Sequence, residues 1–305
     1  MIFSLRAALV IAVTAAACKS GAERQRETAV ELNARVHRMD GLLARADSNP
    51  KSHHPVAMWI MPPELREISG LALTRDGRLF AHDDEEGKVY ELDPRRGMII
   101  KSFTLGNGPK KDFEAITVAG EDMYLLVSDG VLYRFREGAN NTRVKYQVFD
   151  THLGKECEFE SLQYDADSSR LLMPCKVVHK KDLKGNLVIY RLPLPIGTGS
   201  LSVQTIPMDD VTSEHDWKDF RPTDMTIDPL TKNYVILSSN EPGIVEVTPD
   251  GDVVRSEKIP GNHKQPEGIA ITSDSILIIS DEATSKPAAV TLYRWHRQAT
   301  TTVSQ

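Results

Sequence analysis

The chain has 305 residues, 26% charged, 40% hydrophobic and 6% aromatic, the make-up of a folded globular protein rather than of a disordered or membrane-embedded one. Its net charge of -6 comes with no clustered Lys/Arg face. Nucleic acid is therefore excluded as an expected partner, because binding to a phosphate backbone draws on such a face.

The first residues depart from this average. Arg6 is followed by an apolar run from Ala7 to Val13 and then by Thr14-Ala15-Ala16-Ala17-Cys18-Lys19-Ser20, a pattern that predicts an export signal over residues 1–17. The run is shorter than the roughly 20 residues a membrane-spanning helix needs, and small residues before position 18 suit a signal peptidase. The segment resembles a bacterial lipoprotein signal, which implies that Cys18 is acylated, becomes the mature N-terminus and ties the protein to a membrane. The implied location is the cell envelope, facing the periplasm or on the outer membrane. Ala15 stands where Leu is usual in such signals, and Lys19 rather than Asp follows the cysteine. Plain cleavage after Ala17 stays open.

Residues 18–54 read as anchor cysteine, helical spacer and linker. Ala29, Leu32, Val36, Met39 and Leu43 recur every three to four positions, one stripe of an amphipathic helix over residues 22–46. Ser48-Asn49-Pro50-Lys51-Ser52 then breaks the pattern.

The compact domain is expected over residues 55–298, with a disordered tail at 299–305. Five segments in it align: Ile68-Ser69-Gly70-Leu71-Ala72-Leu73, Phe113-Glu114-Ala115-Ile116-Thr117-Val118, Phe159-Glu160-Ser161-Leu162-Gln163-Tyr164, Pro222-Thr223-Asp224-Met225-Thr226-Ile227 and Pro266-Glu267-Gly268-Ile269-Ala270-Ile271. They recur about every 45 residues, a period that means radial or stacked units. One step is longer, with its excess assigned to loops around Val177 to Gly199. Each start is followed by a second strand, such as Arg78 to Asp83, and a third, such as Val89 to Leu92; most have a fourth, such as Ile99 to Phe103. Four antiparallel strands per unit describe a propeller blade. The fifth unit ends near Arg297 after three strands, and Val56-Ala57-Met58-Trp59-Ile60-Met61 supplies the missing fourth. The expected fold is all-β: a five-bladed β-propeller closed by an N-terminal strand, behind a signal peptide and an amphipathic helix.

The Phe-Glu-Ala-Ile and Phe-Glu-Ser-Leu starts, Ile-Ser-Gly-Leu at 68–71, Pro-Glu-Gly-Ile-Ala at 266–270 and Ser-Asp-Glu at 280–282 resemble the SdiA-regulated family over about residues 62–297. The resemblance implies an exported five-bladed propeller, distantly related to the NHL-repeat type, with a calcium ion and no established reaction.

The residues point to the same ion independently. The innermost strands all begin at one end of the channel, which brings Glu114, Glu160 and Glu267 together with Ser69 and Thr223; Asp224 and Glu67 stand close to the register but off it. Like charges so placed call for protonation or a cation. All-oxygen donors favour calcium over magnesium, and zinc lacks its His or Cys ligands here. Carboxylates bonded to backbone amides, without metal, are the plainer alternative. A second acidic set, Asp83, Asp84, Asp129, Asp281 and Glu282, is expected at the opposite end of the blades as turn residues.

Cys157 and Cys175 flank one predicted hairpin at a spacing that suits a disulfide in an exported protein, with two free thiols as the alternative. His82 and His263 lie near strand ends, either as general bases or simply as solvated side chains. Two functions follow. One is a cell-envelope binding or scaffold module for an unidentified protein or small-molecule ligand; the other is a calcium-dependent hydrolase of lactones or phosphoesters. No catalytic residue is singled out.

Overall fold

A computed structural model describes residues 21–49 and 53–297; the signal peptide at 1–17, Cys18 and the tail at 299–305 lie outside them. The domain is a closed five-bladed β-propeller. Its five sheets start from the inner strands Ile68–Leu73, Phe113–Ala119, Cys157–Phe159 with Gln163–Asp165, Pro222–Ile227 and Pro266–Ile271.

Strands in the middle of the blades, such as Tyr234–Ser238 and Gly243–Val247, are buried at every position. The cause is geometric: alternate side chains of a strand leave opposite faces, and in a propeller each face meets the next blade. Neighbouring residues therefore enter different cores. Leu125 packs between blades one and two while Leu126 packs between two and three; Leu171 and Leu172, Ile236 and Val235, and Leu277 and Ile278 continue the series. Leu71 and Ala72 complete it, so the ring closes through five apolar interfaces.

The last seam is covalently split and closed by pairing. Ala57–Ile60 lies antiparallel to Ala289–Arg294, from Ala57 opposite Leu292 to Ile60 opposite Ala289. This gives the fifth blade its fourth strand and protects an edge that would otherwise stand open. Trp59 Nε1 donates to the Pro94 carbonyl at 2.7 Å, locking the closing strand to blade one.

The N-terminal helix, Gly21–Ser48, docks by its C-terminal half. Met39 and Leu43 are buried in the seam between blades five and one; Leu32 and Val36 are half-buried and Ala29 is exposed. Ion pairs from Arg95 to Asp40 at 2.9 Å and from Arg294 to Asp47 at 2.6 Å hold it there.

Three details differ from the sequence reading. The inner strand of blade three is interrupted at 160–162. Part of the long step also lies after Gly199, in the connection 208–221: it holds the short helix Met208–Thr212 and buries Val211, Trp217 and Phe220 against blades three and four. An additional strand, Thr142–Val144, pairs in parallel with the outer strand Met98–Leu105 of blade one.

Candidate functional site at the acidic mouth

Every inner strand has a register irregularity at its start: between Ile68 and Leu71, Phe113 and Ala115, Glu158 and Phe159, Pro222 and Asp224, and Pro266 and Gly268. A bulge leaves one residue out of the ladder and re-aims its side chain. In blades one, two, four and five the second residue of the repeat falls within the irregularity, and in blade three it opens the interruption. The first irregularities also lie where the chains crowd. A Cβ on Gly268 would lie 2.2 Å from Ser280 Oγ and 2.7 Å from the Ser69 carbonyl, and one on Gly70 would lie 3.1 Å from Ala115 Cα. The glycines of Ile-Ser-Gly and Pro-Glu-Gly thus let inner strands approach.

The three glutamates gather around one ammonium. Lys176 forms an ion pair with Glu160, which is nearly buried, and its charge also acts on Glu114 and Glu267. Burial, reinforced by Asp112, raises the Glu114 pKa to about 8 despite Lys176. Burial likewise raises Glu267 to about 7. The hydroxyls at the same register serve the ring itself: Ser69 Oγ donates to the Glu114 carbonyl at 3.0 Å, and Thr223 Oγ1 to the Pro266 carbonyl at 3.1 Å. Lys176 lies near the end of the second strand of blade three, Arg170–Val178, a position where the sequence reading weighed only acidic residues. Its place in a repeat whose counterparts include Asp84 and Glu282 was the signal for it.

The second acidic set sits at the same end as the glutamates, not the opposite one. An antiparallel second strand ends where the first begins, and Ile68 faces Asp83 as Pro266 faces Asp281. Oxygens of Glu67, Asp83 and Asp84 lie within 4.8 Å of one another. Burial, then Glu67 and Asp83, raises the Asp84 pKa to about 7. Asp84 Oδ1 is buried and has no hydrogen-bond partner. Glu282 acts electrostatically on both Asp84 and Glu267, which joins the two acidic groups into one belt. Asp83 and Asp129 also fill the turn role, accepting from Glu85 N and Val131 N at 3.2 Å each.

Asp224 closes the channel below this mouth. It is fully buried and accepts from Leu71 N at 3.2 Å, Ile269 N at 2.8 Å and Met225 N at 2.8 Å, reaching from blade four to blades five and one. Burial holds its pKa well above the ordinary carboxylate range against the pull of those amides.

Neither histidine is a solvated side chain. His82 is fully buried, its Nε2 accepts from Gly70 N at 3.2 Å, and burial lowers its pKa to about 4. His263 joins Asp281 at 2.5 Å and the Tyr293 hydroxyl at 2.9 Å, so both ring nitrogens are engaged. Cys157 and Cys175 form a disulfide with Cα atoms 5.7 Å apart.

Fold and mouth together define a closed propeller with a carboxylate belt at one end of its channel. A model of the SdiA-regulated family matches residues 219–303, across the fourth and fifth blades, so the resemblance read from the repeats is shown over that stretch. No curated protein matches the sequence. Among solved structures, the chain is similar to glutaminyl cyclase of Myxococcus xanthus at 12% identity and a TM-score of 0.52, covering 79% of this chain and 95% of that one. It is also similar to a luciferin-regenerating enzyme at 12% identity and a TM-score of 0.51, covering 78% and 95%. At such identity these likenesses show the propeller fold alone.

Proposed function

We propose that this chain is an exported lipoprotein of the cell envelope that binds calcium at the acidic mouth and acts as a binding or scaffold module. The observation behind the calcium reading is the Glu67–Asp83–Asp84 cluster, with one buried carboxylate oxygen of Asp84 lacking any partner. Its donors are all hard oxygens, the set calcium accepts. Glu67 and both aspartates belong to blade one, and Glu282 reaches the cluster from blade five. A bound ion there supplies positive charge at the closing seam of the ring. Glu114, Glu160 and Glu267 are the second seat for an ion, in which Lys176 now stands as counter-charge. The scaffold reading fits a mouth whose two nearby histidines are already engaged and offer no free base.

The test is calcium titration of the full mature chain by isothermal calorimetry, with Glu67→Gln and Glu267→Gln variants. One site is expected, with affinity falling at least about tenfold in Glu67→Gln as a charged ligand is lost. Absence of binding, or affinity unchanged in both variants, rejects the calcium reading. Metabolic labelling with a fatty acid that is lost in Cys18→Ala tests the anchor; no label on the wild type rejects it.

A further inference from the structure

The channel has a second end, and Asp224 separates it from the mouth. There the inner strands finish around a cavity of about 1300 Å³. Its floor is a ring made from the sixth residue of each repeat: Leu73, Val118, Tyr164, Ile227 and Ile271, one from each blade. All but Ile271 keep some exposure, so the ring is apolar surface facing open space. The walls are the charged turns beyond these residues.

The lining holds eight carboxylates and five cations, and four of the cations are paired. Arg78 pairs with Glu137 at 2.7 Å, Arg95 with Asp274 at 2.5 Å, Arg136 with Glu121 at 2.9 Å and Lys232 with Asp167 at 4.0 Å. Arg75 also lines the cavity, and among the described residues it is the one lining cation with neither an ion pair nor a hydrogen bond. An apolar floor beside polar groups is the general make-up of a small-molecule site, and the free guanidinium at its edge is the group there that can hold an anion.

We propose that this bowl binds a small organic anion, its aromatic or alkyl body on the five-residue floor and its acidic group on Arg75. The site is separate from the calcium mouth and goes beyond the function proposed above. Both the size of the cavity and the single aromatic floor residue, Tyr164, suit a ligand with a flat apolar body.

The probe is 1-anilinonaphthalene-8-sulfonate, which joins such a body to a sulfonate, titrated by fluorescence into the full mature chain under native conditions. Saturable binding to one site is expected. Arg75→Gln should weaken it about fivefold to tenfold through loss of a charge-assisted contact, and Val118→Asp should abolish it by setting a carboxylate on the floor against the sulfonate. Glu214→Gln, an exposed position away from the cavity, should leave it unchanged. Circular dichroism melts establish that each variant is folded; should Val118→Asp not fold, Ile227→Gln takes its place as the floor variant. Non-saturable binding, no binding, or equal affinity in the Arg75 and floor variants overturns the proposal.

Discussion

Replacing Lys176 by Met removes the one ammonium found among Glu114, Glu160 and Glu267. Glu160 is left with only 11% of its side chain exposed and without its partner. Orphaning one member of a fully buried pair costs about 3–5 kcal/mol. Lys176 is 28% exposed, so water at the mouth repays part of that, and we expect about 2–3 kcal/mol. For a domain of this size the loss lowers Tm by about 4–12 °C, at about 2–4 °C per kcal/mol. The assay is a circular dichroism melt of the full mature chain at low salt with a chelator present. Lys176→Arg should stay close to wild type, and Lys176→Met/Glu160→Gln should regain much of the loss because the orphaned charge is gone. Millimolar calcium should raise Tm more in Lys176→Met than in wild type, since the vacated carboxylates then accept the ion. A Lys176→Met melt indistinguishable from wild type in chelator refutes the view that this ammonium holds the ring together.

Three further outcomes follow from particular contacts. Arg297 grips the fully buried Asp228 by two nitrogens at 2.7 and 2.8 Å; Arg297→Ala should cost about 2–4 kcal/mol in urea unfolding, and a loss below about 1 kcal/mol, the range of an exposed pair, argues against a buried pair. Gly268→Ala should destabilise by about 2–3 kcal/mol through overpacking at the hub, read by the same unfolding, whereas a neutral outcome shows that the strands can separate there. In chelator, stability should be highest near about pH 4–5 and fall toward pH 8, because three raised carboxylates outweigh one lowered histidine. Glu114, Glu267 and Asp84 have raised folded pKa values of about 8, 7 and 7, so the folded state binds more protons than the unfolded chain and stability falls as pH rises through that window. His82, lowered to about 4, acts in reverse, removing stability as pH falls below the unfolded value of about 6.5. Urea midpoints that climb steadily to pH 8 would contradict the raised carboxylates.

The fold was legible because the propeller writes itself into local pattern. Five hexamers with apolar residues at alternate positions mark the inner strands, and a unit one strand short beside a spare strand at Val56 to Met61 marks the closure. The site was only half legible, since a register argument places Glu114, Glu160 and Glu267 at one end but says nothing of what fills the space among them. Lys176 lies in the second strand and enters the ring only through the side-chain direction of one blade. Asp83 and Asp84 were set at the wrong end although antiparallel pairing alone puts the end of a second strand beside the start of the first. The connection 208–221 was missed because it has turn composition but is held by Trp217 and Phe220 in the core between blades three and four, a tertiary effect with no local period.

The hub decides how the two ends of the channel relate. Asp224 lies between them, fully buried and held by the amides of Leu71, Ile269 and Met225 from three inner strands. The strands themselves offer a route for coupling, because the inner strand of blade one begins beside Glu67, gives its Leu71 amide to Asp224 and ends with Leu73 in the floor. Coupling of this kind is a difference in affinity between two states and is reciprocal. Calcium that tightens the start of that strand should therefore change affinity for the probe by some factor, and the probe should change affinity for calcium by the same one. Two titrations that are each indifferent to the other ligand would mean that the hub insulates one end from the other, leaving a rigid wheel with two unconnected sites.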